Sequence, residues 1–143
     1  MAGLTQRSGR PPFLNRPSSF VIIFDVTQQA LEASLRGSSM RASALAQNMA
    51  NINTAGYQRV DVDFQSALNQ AVKEADAAGS QNLNVQFSVQ PDETAAVRED
   101  GSTVDVDQEG AMIAQNALQY QGLTQVMAAR RRMMEMTMRT TGT

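Results

Sequence analysis

Two stretches of this chain, one toward each end, carry apolar or small residues at spacings that alternate between four and three. The first runs Leu31, Leu35, Ser38, Ala42, Leu45, Met49 and Ile52. The second runs Ile113, Ala117, Tyr120, Thr124, Met127, Met134 and Met138, interrupted at Arg131. A mean period of 3.5 keeps these residues on one side of an α-helix and forms the seam along which a second helix packs. Ser38 and Ala42 are small, so a partner can approach closely there. Asp25, with Gln28 three residues on, forms a weak capping box, and the run stops at Asn53-Thr54-Ala55-Gly56, where Gly56 suits the positive φ of a C′ position. Helix is therefore predicted over 25–53, about 43 Å long. Asp105 can cap the second helix, with Gln108 at N3. Asp107 and Glu109 fall in its first turn, and Arg130, Arg131, Arg132 and Arg139 lie toward its other end, as the helix dipole favours. This predicts helix over 105–139, about 50 Å long.

Between the two, Phe64, Leu68, Ala71, Val72 and Ala75 share one helical face and predict a shorter helix over 64–76. Leu83-Asn84-Val85-Gln86-Phe87-Ser88-Val89 alternates strictly, as a half-buried strand does, and Pro91 ends it. A strand needs a mate, which implies a small hairpin or pairing with another subunit. Residues 90–104 read as polar loop. Residues 1–19 hold Pro11, Pro12, Pro17 and three Arg without any period, and read as a disordered or extended tail or, alternatively, a binding segment. The fold class expected is mainly α: two long terminal helices packed as a coiled-coil-like pair, with a short helix and a small β-hairpin or strand in the middle. One domain is expected over 20–143, its variable middle spanning 54–104.

Composition narrows the chemistry. The chain has no cysteine and no histidine, and Lys73 is its one lysine. Disulfides, thiolate or imidazole metal sites and Ser/His or Cys/His nucleophile pairs are excluded. Catalysis by carboxylates or by Lys73 alone is the remaining enzymatic reading, with Asp105 or Asp107 as the first residues to test; the expectation is a protein that is not an enzyme and takes no cofactor. Asp105-Val106-Asp107-Gln108-Glu109-Gly110 begins like a calcium loop, but its twelfth position is Asn116 instead of a bidentate Glu, and an acidic helix N-terminus explains the same letters. No metal site is expected. The longest apolar run, Phe20–Phe24, is far short of the roughly 18 residues of a membrane helix and of the roughly 7–15 of a secretory signal.

Charge is unevenly placed. Residues 1–59 sum to +4, residues 60–109 to −9 and residues 110–143 to +3. Either the parts face different surroundings, or the middle is simply solvated loop. Arg130-Arg131-Arg132 point about 100° apart on a helix and form no single phosphate-binding patch, so a dipole partner or an ion pair between subunits fits better than nucleic acid. Five methionines lie between 127 and 138, and Met133 and Met136 fall off the Met127, Met134, Met138 stripe. A helix apolar on more than one side expects burial among several helices.

The most specific stretch is Leu45 to Arg59, LAQNMANINTAGYQR. It is a helix end rich in Asn, a glycine turn and an anchoring Tyr. It resembles the N-terminal signature of the flagellar rod and hook family, the match being carried by Asn48, Asn51, Asn53, Gly56 and Tyr57. Val60-Asp61-Val62-Asp63-Phe64 and Asp100-Gly101-Ser102-Thr103-Val104-Asp105-Val106-Asp107, leading into Asn116-Ala117-Leu118-Gln119-Tyr120-Gln121, resemble segments of its proximal rod members. The resemblance covers about 25–139; Gly110 departs from it, standing where a larger apolar residue is expected. It implies a structural subunit of the basal-body rod that polymerises through its terminal helices into a hollow drive shaft. It further implies export through the flagellar type III apparatus without signal cleavage. Expected partners are other rod subunits, the membrane ring or its adaptor, and the export gate, with no nucleic acid and no membrane insertion. The rival readings are another short proximal rod protein and a free-standing coiled-coil adaptor or export chaperone.

Overall fold

A computed structural model of the chain describes residues 19–141, with side chains over 26–139; of the predicted tail, all but Ser19 lies outside these. The elements are α1 (Ser19–Ala50), β1 (Val60–Asp61), α2 (Phe64–Ala78), β2 (Gln90–Pro91) and α3 (Val106–Thr141). The chain is thus mainly helical. Its long helices, α1 with 32 residues and α3 with 36, measure about 48 and 54 Å at 1.5 Å per residue.

Three local expectations differ. Helix α1 begins at Ser19, so Asp25 lies inside it instead of at its N-cap; no Pro or Gly separates the two, and helix propagates freely once nucleated. At the other end α1 stops at Ala50, before Asn53. There the Asn51 side chain donates to the Gln47 carbonyl at 2.8 Å and occupies an acceptor of the last turn. Gly56 does have a positive φ of 71°, but in the loop beyond, well past any C′ position. Finally, Leu83–Val89 forms no ladder. The two-stranded sheet pairs β1 with β2 antiparallel, Val60 opposite Pro91 and Asp61 opposite Gln90.

The alternation in 83–89 nonetheless has a physical cause. Leu83, Val85 and Phe87 are half-buried while Asn84, Gln86 and Ser88 are exposed. The segment runs along a helix, and a side chain replaces a neighbouring strand: Gln29 accepts from the Leu83 N–H at 2.7 Å and donates to the Gln81 carbonyl at 2.9 Å. Period two here encodes burial without pairing.

Helix α1 packs on both α2 and α3. On its α2 side Ala44 joins Val62 and Phe64 in a small core, with Met40, Val60 and Phe87 against it. The Phe64 and Phe87 rings meet edge to face at 6.3 Å. Asp63 caps α2 by accepting from the Ser66 N–H at 3.1 Å; the Ser66 side chain first, and then this N–H, hold its carboxyl below the usual range. On the α3 side, Ser38 Oγ donates to Asn116 Oδ1 and Asn116 Nδ2 donates to the Ser38 carbonyl, both at 3.0 Å and both buried. Asp105 caps α3, accepting from the N–H groups of Asp107 and Gln108.

Gly37 is what lets α2 lie on α1: a Cβ built there would stand 2.6 Å from Phe64 Cβ. Gly37→Ala should therefore destabilise the chain by about 1–3 kcal/mol, as overpacking does, despite the better helix propensity of Ala. Urea unfolding measures this, and an unchanged or raised midpoint would refute the close approach.

Candidate functional site

The turn after α1 is organised by one buried amide. Asn48 is fully buried on the last turn of α1. Its Nδ2 donates to the Val60 carbonyl at 2.8 Å and to Glu109 Oε2 at 3.3 Å. Its Oδ1 accepts from the Val60 N–H at 3.0 Å and from the Tyr57 hydroxyl at 3.3 Å. Both donors and both acceptor positions of the amide are thus used. Asn48 holds Val60 as a neighbouring strand would, and an Asp or Leu could not do the same.

Arg59 lies directly before β1 and its side chain is fully buried. Its Nε donates to Glu109 Oε1 at 2.5 Å, its Nη1 to Asp92 Oδ2, and its Nη2 to Met112 Sδ at 2.7 Å. Asp61 Oδ2 stands 3.8 Å from Nη2 and is itself gripped by Arg41 through two bonds of 3.1 Å. Burial disfavours the Arg59 charge, but the Glu109 hydrogen bond and the carboxylates of Glu109, Asp61 and Asp92 outweigh it and raise its pKa above the ordinary value. Asp92 is held below the usual carboxylate range, first by the Thr94 side chain and then, more weakly, by the Thr94 N–H and Arg59. The Tyr57 phenol is pushed up by burial and then by Glu109.

The loop bearing Gly56 and Tyr57 is joined by backbone bonds to the turn at Gly101, whose φ is 77°. The Gly56 N–H donates to the Asp100 carbonyl at 3.1 Å, the Thr103 N–H to the Tyr57 carbonyl at 3.1 Å, and the Arg59 N–H to Thr103 Oγ1 at 2.7 Å. The two segments singled out from opposite ends of the sequence, 45–59 and 100–107, therefore lie side by side. Asn51 and Tyr57 are half-buried there, and Asn53 and Gly56 are exposed. Arg59, Asp92 and Glu109, at the centre, were not singled out by sequence reasoning for any such role. Glu109 reads locally as a first-turn acid; only its register with Asn116, seven residues on, hints at an inward face.

The seam residues divide. Leu45 is fully buried; Leu31, Leu35, Met49 and Ile52 are half-buried; Ala42 is exposed. On α3, Met127 and Met134 are half-buried, whereas Ile113, Ala117, Tyr120 and Met138 are exposed. The inward face of α3 is the row one position aside: Glu109, Met112, Asn116, Gln119, Leu123, Met127, Arg130 and Met134. Ala42, Leu45, Ile113, Ala117 and Tyr120 line an open groove of about 450 Å³ between α1 and α3. Gly110 is exposed, with open space where a side chain would go. Among the described residues no cluster of Asp and Glu is arranged to hold a metal ion, and no helix is long and apolar enough to cross a membrane. The charges gathered on Arg59 hold three chain segments together.

Comparison with known proteins gives related sequences. Over 112 residues the chain is 31% identical to the flagellar basal body rod protein FlgB of Bacillus subtilis, covering 73% of this chain and 87% of that protein. It is 35% identical over 98 residues to FlgB of Escherichia coli, covering 58% and 71%. It is 30% identical over 106 residues to FlgB of Borreliella burgdorferi, covering 63% and 78%. No protein-family model matches the chain.

Glu109→Ala should cost about 3–5 kcal/mol in urea unfolding, because it leaves a buried guanidinium short of its main partner. Replacing Arg59 and Glu109 together by Met and Leu should cost clearly less than the sum of the single changes, and additivity would dismiss the pair. Acid should act through Asp92 and Asp63. Both carboxyls are lowered in the folded chain, so the unfolded chain binds protons first. Stability present above pH ~4 is then lost as pH falls through the lowered values. Thermal melts from pH 7 to 3 should show this decline, and Asp92→Asn should flatten it.

Proposed function

This chain belongs to the FlgB family of flagellar basal body rod proteins, and from that membership we propose that α1 and α3 pack against neighbouring subunits to form the wall of the rod. The protein is a structural subunit of the proximal rod. The observation that supports polymerisation through the helices is the exposure of Ile113, Leu118, Tyr120, Val126, Met133, Met136 and Met138 on α3 although that helix already packs on α1. Apolar surface of this extent on a helix is stabilised when other helices cover it.

In this reading the chain performs no catalysis: it lacks His and Cys, and its buried carboxylates serve Arg59. It travels unfolded through the flagellar type III apparatus and keeps its N-terminus uncleaved. Its neighbours in the basal body are other rod subunits, with the membrane ring or its adaptor and the export gate at the rod base. Residues 20–143 act as one rod-subunit domain, with the seam residues Leu31, Leu35, Ala42, Leu45, Met49, Ile52, Ile113, Ala117, Tyr120, Met127, Met134 and Met138 forming helix contacts within and between copies.

Removing residues 128–143 tests this. In a strain lacking the native protein, the truncation should still be exported but should abolish rods and swimming, since it removes the exposed methionines of α3 and their lattice contacts. Normal rods by electron microscopy would dismiss the two-helix wall.

A further inference from the structure

Methionine carries all the sulfur of this chain, which has nine Met and no Cys. The fold sorts these thioethers by access to solvent. Met40, Met49, Met112, Met127 and Met134 are half-buried. Met133, Met136 and Met138 are 56, 61 and 69% exposed, and all three lie toward the C-terminal end of α3. Met133 and Met136, three residues apart, share one side of that helix, and Met138 stands about 140° around from Met133.

Oxygen transfer to a thioether needs a sulfur lone pair that the oxidant can reach. Met112, at the other end of α3, shows the opposite condition. Its Sδ accepts from Arg59 Nη2 at 2.7 Å, so a lone pair is turned toward a buried cation. An electrophilic oxidant finds neither access nor free electron density there. The exposed sulfurs near the C-terminal end combine access with a consequence. A sulfoxide is polar and chiral where the thioether was apolar and adaptable, and it disrupts surfaces built on Met.

We propose that Met133, Met136 and Met138 form an oxidation-sensitive site, which a peroxide converts to sulfoxides ahead of the half-buried methionines, and that the modified helix no longer enters the rod. A sulfur lone pair attacks one peroxide oxygen, and the S–O bond forms as the O–O bond breaks. The departing hydroxide takes the proton of the transferred oxygen and leaves as water. The sulfur is oxidised by two electrons and the peroxide is reduced by the same two. The loss of assembly rests on the rod-subunit reading, because covering a sulfoxide with an apolar neighbour strips it of water without a partner. The selectivity of oxidation rests on exposure alone. Oxidation and assembly compete, since a neighbour that covers α3 also shields its sulfurs.

The test has two arms. In the first, the purified full-length chain is treated with hydrogen peroxide and its peptides are followed by mass spectrometry. Met133, Met136 and Met138 should each gain one oxygen at least tenfold faster than Met112. Met134, next to Met133 in sequence but half-buried, should also lag behind it. Circular dichroism should stay that of the untreated chain. Equal rates at Met133, Met134 and Met112 would overturn the site. In the second arm, two triple variants are expressed in a strain lacking the native protein. Met133→Gln with Met136→Gln and Met138→Gln imitates the polarity of the sulfoxide at similar length, and the corresponding Leu variant keeps the side chains apolar. With equal helicity of the two purified variants, the Leu variant should give at least tenfold more rods per cell than the Gln variant. Equal rod numbers would overturn the effect on assembly, whereas the rod-subunit reading itself stands or falls with the truncation of residues 128–143.

Discussion

A fully buried guanidinium governs how the rest of this chain can be arranged. Arg59 cannot stay charged in the interior unless carboxylates reach it, and those carboxylates come from three places: Asp61 in the strand that follows it, Asp92 just after β2, and Glu109 in the first turns of α3. Uncompensated, such a charge costs several kcal/mol. The start of α3, the end of α1 and both strands must therefore be in place together. The Asn48 amide completes the junction by bonding to both Val60 and Glu109. The acidic surplus of the middle segment is thus partly structural, since three of its eleven acids surround Arg59.

From that junction the two long helices run back along each other, and their contact is unusually polar. Ser38 and Asn116 share two buried hydrogen bonds, and Glu109 and Gln119 also face inward. Polar pairs fix the register of one helix on the other, because any slip would leave buried donors and acceptors unmade. Much of the apolar surface of α3 is consequently displaced to its flanks and back, where the chain itself does not cover it. An isolated globular domain would gain little from this arrangement. A subunit whose helices gain neighbours on assembly recovers that burial in the assembled state.

Among the described residues the apolar cluster where α1 meets β1 and α2 is small: Ala44, Val62 and Phe64 with Met40, Val60 and Phe87 around them. It depends on Gly37, because Phe64 occupies the space a side chain there would need. The fold thus divides its work. A compact junction with a short helix and two short strands sets the geometry from which the long helices extend.

How much of this could be read beforehand follows from the range of each interaction. The two long helices, the short one, the Asp105 cap and the alternating exposure of 83–89 are set by neighbours within about four residues, so periodicity and capping patterns reveal them. The Asn-rich turn also stands out locally, and with it the family. What 83–89 pairs with was not legible, because the side chain that satisfies its backbone, Gln29, lies 54 residues from Leu83. Neither was the role of Glu109: at 50 residues from Arg59, a buried ion-pair partner is written in the same letter as a solvated acid of a helix first turn. The inward face of α3 escaped for a related reason. Hydrophobic period selects the most apolar row, and here the row that meets α1 is held by hydrogen bonds and charge while its apolar neighbours stay outside. The sequence by itself determined which segments are helices and where they start and stop to within a few residues, except for the start of α1, which lies at Ser19 instead of Asp25. The tertiary structure decided which faces meet, because burying Arg59 required groups that only the folded chain brings within reach.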